Sequence, residues 1–169
     1  MSRPRLILIG PPGAGKTSVG RLLAEFWQVT YRDTDADIES AEARPIADIF
    51  LDEGEEYFRR QEHAAVLRAL SGHDGVLALG GGAVMDPATQ EELRGHDVLF
   101  LDVGVADATK RVGLARSRPL LVDSPRRQWQ QLMAHRRPVY ERLAAHTVPT
   151  DGLTPLQVRD AVLTLLEEG

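Results

Sequence analysis

The sequence predicts an α/β protein in which a mostly parallel sheet carries helices on both faces. Two observations predict this class. Short apolar stretches alternate with helix-like stretches along the chain, and the first, RLILIG, is a continuous apolar run typical of a strand covered on both faces. A chain of 169 residues, 43% of them hydrophobic, has the length and the apolar content of one domain. We therefore expect a single domain over 1–169.

The predicted elements follow one another with short connections. Each strand is an apolar run, and each helix has apolar residues at intervals of three and four. The predicted strands are RLILIG, a segment near Val29–Asp33, GVLALGGGAV, DVLFLDV and the weak HTVPT. The predicted helices run from Gly15 to about Trp27, in pieces broken at Pro45 from Asp35 to about Leu70, from Asp107 to about Arg116, from about Arg126 to Ala144, and from near Pro155.

Composition excludes several classes of protein. The net charge of −5 and the pI near 5.5 leave no basic footprint for nucleic acid. Cysteine is absent, which excludes disulfides and thiolate metal sites. The first strand has only four consecutive apolar residues, too few for a signal peptide, and no later stretch has the length of a membrane span. We expect a cytoplasmic monomer with no nucleic-acid or membrane partner.

The segment GPPGAGKT has the pattern of a phosphate-binding loop, with Gly10, Gly15, Lys16 and Thr17 at the defining positions. Its glycines let backbone N–H groups point at phosphates, the lysine reaches the β- and γ-phosphates, and the threonine hydroxyl is a ligand for Mg²⁺. The alternative is an ordinary glycine-rich turn. The strand before the loop and the helix after it favour a nucleotide site.

Three aspartates, Asp33, Asp35 and Asp37, alternate at the end of the second predicted strand. The strand GVLALGGG ends in glycines and offers no carboxylate, which makes Asp33 the candidate to hold Mg²⁺ through water. Asp35 is placed to orient or deprotonate an acceptor hydroxyl. The alternative for both is a helix N-cap, with Asp35 before ADIE a reasonable helix start. Asp37 is most simply a solvated residue of the first turn.

Glycines and arginines suggest a site for a small acid. Gly80, Gly81 and Gly82 let a ligand approach the main chain closely, although a flexible turn is the simpler alternative. The motifs FRRQE and RRPVY bring arginines from separate helices, and two guanidinium groups can hold a carboxylate. Surface salt bridging remains the alternative for any single arginine among 18. Arg118, or in its place Arg116, could contact the transferring phosphoryl group from a loop.

Together these motifs resemble the shikimate kinase family along nearly the whole chain. GPPGAGKTSVG, DTDADIE, IADIF, GEEYFRRQE, LGGGAV, RPLL and RRPVY occur in the order of that family. The resemblance implies a three-layer αβα P-loop kinase fold like that of nucleoside monophosphate kinases, with a five-stranded parallel sheet. It also implies a substrate-binding helical segment at about 34–62 and a lid loop at about 113–125. The implied reaction transfers the ATP γ-phosphate to the 3-hydroxyl of shikimate.

The resemblance also implies roles for individual residues. Thr17 would bind Mg²⁺ directly and Asp33 through water, while Asp35 would bind shikimate and act as the candidate base. Arg59 and Arg136 would hold the shikimate carboxylate, with Glu62 orienting Arg59. The remaining implied contacts to shikimate are Gly80, Gly81 and Gly82. The implied contacts to ATP are Gly13, Ala14, Gly15, Lys16, Thr17, Ser18, Arg111, Arg118 and Pro155. The implied catalytic residues are Lys16, Asp35 and Arg118.

Two positions depart from the family pattern. Leu153 stands where many members have an arginine near adenine, and Arg137 stands where others often have a small or polar residue. Two other functions are compatible with parts of the sequence. A related kinase for an acid such as gluconate is disfavoured by DTDADIE, FRRQE and GGGAV together. A catalytically silent shikimate- or nucleotide-binding protein is disfavoured because every expected phosphate and acceptor residue is present.

Overall fold

A computed structural model of the chain describes residues 2–112 and 125–168 and contains a five-stranded sheet in the order β2-β3-β1-β4-β5. All four strand pairings are parallel. The strands are β1 Leu6–Ile9, β2 Tyr31–Asp33, β3 Val76–Ala78, β4 Val98–Asp102 and β5 His146–Pro149. The predicted parallel sheet is confirmed, with β2 beginning at Tyr31 rather than near Val29.

Helices connect consecutive strands. They are α1 Lys16–Trp27, α2 Thr34–Glu42, α3 Ile46–Glu53, α4 Glu55–Gly72, α5 Pro87–Glu92, α6 Val105–Val112, α7 Pro125–Leu143 and α8 Pro155–Glu168, with a 3-10 turn at Ala83–Met85. The broken helical region resolves into three helices because Pro45 caps α3 and Gly54, at φ 90°, separates α3 from α4. Within the described ranges, no helix has the length and apolarity needed to cross a membrane.

Both faces of the sheet are covered. All four residues of β1 are buried, and successive side chains of a strand point to opposite faces. β1 lies between β3 and β4, so the loop that leaves its carboxyl end is at the centre of the sheet edge. The loop after β3 is its direct neighbour. This topology places the phosphate loop beside the three glycines.

The helices α2, α3 and α4 have a small apolar cluster of their own. Its buried members are Ile38, Ile49, Phe58 and Ala65, and it is distinct from the larger core around the sheet. The Phe50 and Phe58 rings lie 4.7 Å apart within it. The region predicted to bind the acceptor, about 34–62, therefore packs largely on itself.

Helix α7 is anchored to the two loops that follow β1 and β3. Tyr140, fully buried, donates its hydroxyl to the Gly81 carbonyl at 2.7 Å, and Trp129 donates its indole N–H to the Pro12 carbonyl at 3.4 Å. The predicted helix from about Arg126 to Ala144 is confirmed, because α7 runs from Pro125 through Pro138 to Leu143.

Candidate active site

The phosphate loop joins β1 to α1 and depends on glycine at its two ends. Gly15 caps α1 with φ 92°, a left-handed conformation that favours glycine. A Cβ on Gly10 would lie 2.5 Å from the Leu101 carbonyl oxygen, so the loop packs tightly on β4. The loop therefore presents its backbone at the N-terminal end of α1, where N–H groups and the helix dipole favour an anion.

A cavity of about 640 Å³ opens over this loop. One wall is the phosphate loop and the start of α1, and the opposite wall comes from the end of α6 and from the segment between β5 and α8. The lining residues are Pro11, Pro12, Gly13, Ala14, Gly15, Lys16, Thr17, Ser18, Val19, Asp33, Asp35, Gly81, Arg111, Thr150, Leu153, Pro155 and Val158. Every described residue predicted to contact the nucleotide therefore borders one cavity.

Lys16 lies at the floor of the cavity. Its Nζ donates to the carbonyl oxygens of Gly10 at 2.6 Å and Pro11 at 3.2 Å. Burial lowers the pKa of Lys16 to about 8, although the nearby carboxylates of Asp35 and Asp33 oppose the decrease. Because this pKa lies above neutrality, the ammonium group stays mostly protonated at pH 7 and supplies a compact positive charge.

Asp33, rather than Asp35, is the N-cap of α2. Its Oδ1 accepts the Asp35 backbone N–H at 2.8 Å, and its Oδ2 accepts a longer bond from the Tyr31 hydroxyl at 3.4 Å. Asp35 consequently occupies the first turn of α2, and its carboxylate is not used for capping. Asp33 thus caps the helix, and both aspartates border the cavity.

The carboxylate of Asp35 packs directly against the first glycine of the triplet. A Cβ on Gly80 would collide with Asp35 Oδ1. Burial raises the pKa of Asp35 to about 6, and the charges of Asp33 and Glu62 add to the increase, whereas Lys16 opposes it. A carboxyl group with this pKa can accept a proton near neutrality and still be largely ionised.

Two guanidinium groups converge on the other two glycines. A Cβ on Gly82 would lie 2.9 Å from Arg59 Nη1 and 3.0 Å from Arg136 Nη2, and one on Gly81 would lie 2.9 Å from Arg136 Nη1. These guanidinium groups come from α4 and α7, as the motifs FRRQE and RRPVY predicted. Their convergence creates a local positive charge in an acidic protein.

Glu62 fixes the direction of Arg59. Its Oε1 accepts a bond from Arg59 Nη1 at 2.7 Å, and the residue is only 3% exposed. Burial raises the pKa of Glu62, while Arg59 and Arg136 oppose the increase. Arg136 lies close enough to Glu62 and to the Tyr140 hydroxyl to oppose the raised pKa of each group. Both guanidinium groups are thus directed by neighbouring side chains toward the same glycines.

Arg111 links the two walls of the nucleotide cavity. Its Nη1 donates to the Gly13 carbonyl at 3.0 Å and to Thr150 Oγ1 at 2.9 Å, and its Nη2 donates to the Thr150 carbonyl at 2.8 Å. Leu153 borders the same cavity beside Pro155. The side of the cavity where adenine was expected is thus formed by one tethered arginine and apolar groups.

The Mg²⁺ candidates Thr17 and Asp33 both line the cavity. A hydroxyl and a carboxylate are hard oxygen donors of the kind that Mg²⁺ accepts. Across 2–112 and 125–168, no cluster of three or more histidine, aspartate or glutamate residues could hold a metal ion alone. With Thr17 and Asp33 as oxygen donors, the cavity fits a Mg²⁺ ion that keeps several waters and binds phosphate oxygens.

Several predictions fall outside the described part of the chain. Arg118, its alternative Arg116 and nearly all of the predicted lid at 113–125 lie there. In the other direction, the sequence did not suggest Tyr140 or Thr150 as parts of the site. Tyr140 follows Arg136 by four residues, a spacing that places both on one helix face and could have indicated it. No comparable signal marks Thr150.

These features define a class of protein. A parallel sheet with a phosphate loop at its centre, a carboxylate beside the loop and a pair of guanidinium groups further along form the site of a P-loop phosphotransferase for a small anionic alcohol.

The comparisons with known proteins identify the family. A family model described as shikimate kinase matches residues 12–167, and the chain belongs to the shikimate kinase family. A shikimate kinase of Streptomyces avermitilis is 54% identical over 99% of this chain and 98% of its own length. The chain is thus an ATP-using phosphotransferase.

Solved structures agree with this assignment. Shikimate kinase from Acinetobacter baumannii in complex with shikimate is 34% identical, with a TM-score of 0.90 over 98% of this chain and 94% of its own. Shikimate kinase from Aquifex aeolicus is 26% identical, with a TM-score of 0.80 and 96% of each chain covered. The three-layer P-loop kinase fold is therefore confirmed.

The raised pKa of Asp35 predicts a pH-dependent gain of stability in Asp35→Asn. Holding this carboxylate ionised costs free energy in the folded state, because its pKa is about 6 rather than the ordinary 3.8. The variant should be more stable than the parent by about 1–3 kcal/mol above pH 6, and the gain should shrink as pH falls toward 4. Urea unfolding at a series of pH values measures the difference, and a gain that persists unchanged at pH 4 would contradict the explanation.

Proposed function

We propose that this chain transfers the γ-phosphate of ATP to the 3-hydroxyl of shikimate, giving shikimate 3-phosphate and ADP. The observation that carries the proposal is the convergence of Asp35, Arg59 and Arg136 on three glycines beside the phosphate loop. Membership of the shikimate kinase family supports it, as does the close structural likeness to a relative described in complex with shikimate.

ATP occupies the cavity above the phosphate loop. The loop and the start of α1 hold the phosphates, with Gly13, Ala14 and Gly15 supplying backbone and Thr17 and Ser18 following at the helix N-terminus. The Lys16 ammonium neutralises charge on the β- and γ-phosphates. Arg111 and Pro155 pack about adenine, with Leu153 extending the apolar surface.

Thr17 would hold Mg²⁺ through its hydroxyl, and Asp33 would hold it through water. When bound, the ion neutralises phosphate charge and helps to align the γ-phosphate. Asp33 would serve this role while it caps α2. Its Oδ1 accepts the Asp35 N–H, and its Oδ2 accepts the Tyr31 hydroxyl. The cap fixes the position of the carboxylate before any ligand arrives.

The carboxylate of shikimate lies between Arg59 and Arg136. Two guanidinium groups from different helices fix both the position and the orientation of a planar carboxylate. Glu62 keeps Arg59 pointing toward this place. Gly80, Gly81 and Gly82 line the acceptor pocket and leave room for its ring.

Asp35 orients the 3-hydroxyl and accepts its proton as the oxygen attacks the γ-phosphorus. The bond from that phosphorus to the ADP oxygen breaks, and the negative charge leaves on ADP. A pKa near 6 suits this role because the carboxylate is ionised at neutral pH and basic enough to take a proton. Arg118, from the lid at 113–125, is proposed to neutralise the phosphoryl oxygens during transfer.

The proposed protein is a single domain that works as a monomer. The domain is a single kinase unit, with an acceptor-binding segment of about 34–62. We propose a cytoplasmic monomer that needs neither nucleic acid nor a membrane. Its net charge of −5 supports the lack of a nucleic-acid partner.

An assay of ADP release tests the function. Purified protein with ATP and Mg²⁺ should turn over with shikimate and not with gluconate. Preferential turnover with gluconate would favour the related acid kinase. Calorimetry that detects binding of ATP and shikimate without any turnover would instead indicate a catalytically silent binding protein.

Removing either arginine of the pair should weaken acceptor binding. The carboxylate lies away from the reacting oxygen and is held in both ground and transition states, so Arg59→Ala and Arg136→Ala should raise the KM for shikimate by about 10- to 100-fold. The KM for ATP should change little. Steady-state kinetics with each substrate varied in turn measures both constants, and an unchanged shikimate KM in both variants would remove the pair from the acceptor site.

Asp35→Asn should lower kcat by about 100-fold or more, the contribution typical of a positioned general base. ATP affinity should change far less, because Asp35 acts on the acceptor hydroxyl. Retained turnover in Asp35→Asn would exclude Asp35 as the base.

For the parent enzyme, kcat/KM for shikimate should fall as pH drops below about 6, where Asp35 becomes protonated.

A further inference from the structure

Arg137, the residue after Arg136, forms an ion pair with the end of strand β4. Its Nη1 lies 2.6 Å from Asp102 Oδ2, with side-chain exposures of 35% for Arg137 and 25% for Asp102. The other carboxylate oxygen of Asp102 accepts the Val103 backbone N–H at 2.8 Å. The Arg137 guanidinium also lies 5.9 Å from the centre of the Phe100 ring. Both partners are therefore fixed in direction and are partly shielded from water.

This ion pair occurs where helix α7 has least support of its own. Arg137 immediately precedes Pro138, which has no N–H and therefore removes the helical hydrogen bond to the Ala134 carbonyl. Helices without such a bond commonly bend at that point. Two contacts from outside the helix support this turn, the Arg137 ion pair before Pro138 and the Tyr140 hydroxyl bond to Gly81 after it.

The two neighbouring arginines reach different parts of the sheet edge. Consecutive helix residues point about 100° apart. Arg136 faces Gly81 and Gly82 after β3, and Arg137 reaches Asp102 at the end of β4. Consecutive positions of α7 thus contact the ends of two strands, β3 and β4.

We infer that Arg137 is a positioning residue for the acceptor site, because its ion pair with Asp102 holds the Pro138 turn against β4 and so keeps the Arg136 guanidinium beside Gly81 and Gly82. The inference rests on the proposed function, in which Arg136 binds the acceptor carboxylate. Arg137 acts through Arg136. A half-buried pair of this geometry is strong enough to bias one side-chain position, though not to hold the fold.

Helix α7 has two anchors besides the Arg137 ion pair. Tyr140 and Trp129 bind the loops after β3 and β1. Loss of the Arg137 ion pair should therefore leave the helix in place and change only the local position of Arg136. This expectation separates a positioning role from a general contribution to stability.

A double-mutant cycle tests the inference. Arg137→Ala should raise the KM for shikimate about three- to tenfold, with kcat and the KM for ATP within about twofold of the parent. In an Arg136→Ala background the same substitution should have no further effect on the shikimate KM. Arg137→Lys, which can still pair with Asp102, should recover part of the loss. Arg142→Ala is the matched control, since Arg142 lies on the same helix and bonds Gln90 at 2.7 Å.

The outcomes separate failure of the inference from failure of the proposed function. An unchanged shikimate KM in Arg136→Ala would overturn the acceptor site itself and the inference with it. If Arg136→Ala raises that KM but Arg137→Ala has no effect, or has an equal effect in both backgrounds, only the inference is wrong. An equal rise in Arg142→Ala would also overturn it. If circular dichroism shows Arg137→Ala to be unfolded, Asp102→Asn takes its place in the cycle with the same expectations.

Discussion

The site depends on the absence of side chains at the carboxyl end of β3. Gly80, Gly81 and Gly82 stand where any Cβ would meet Asp35, Arg136 or Arg59. Those three side chains come from three different helices, α2, α7 and α4. The empty volume around the glycines is what lets three helices place charged groups within reach of one small molecule. Close packing elsewhere in the sheet makes that volume specific in shape.

Burial at this edge has opposite effects on groups of opposite charge. It lowers the pKa of Lys16 and raises those of Asp35 and Glu62, and in each case a neighbouring charge of the opposite sign limits the change. Charges that are disfavoured in the folded protein are common where chemistry takes place, because the ligand or the reaction compensates them. The protein thus gives up some stability for reactivity at this edge.

Much of this arrangement could be predicted from sequence because its signals are local. The phosphate loop is a contiguous motif, and the alternation of strands and helices brings the end of β3 beside it without further information. Tertiary contacts were not predictable in the same way. That Asp33 rather than Asp35 caps α2 depends on where β2 ends, and the ion pair of Arg137 depends on the rotation of α7 against β4. The short helix α5 was also missed, although Asp86 and Pro87 are ordinary signals for a helix start.

The separate apolar cluster of α2, α3 and α4 has a consequence for the order of events during turnover. Four buried side chains form the centre of this cluster, whereas the sheet core, to which the second half of α4 also belongs, contains many more. Local opening of a region costs less free energy when few apolar contacts are broken. Amide hydrogens of this region should exchange with solvent sooner than those of β1 and β4. Under the proposed function, the acceptor-binding segment would thus be able to open locally while the strands beneath the phosphate loop stay folded.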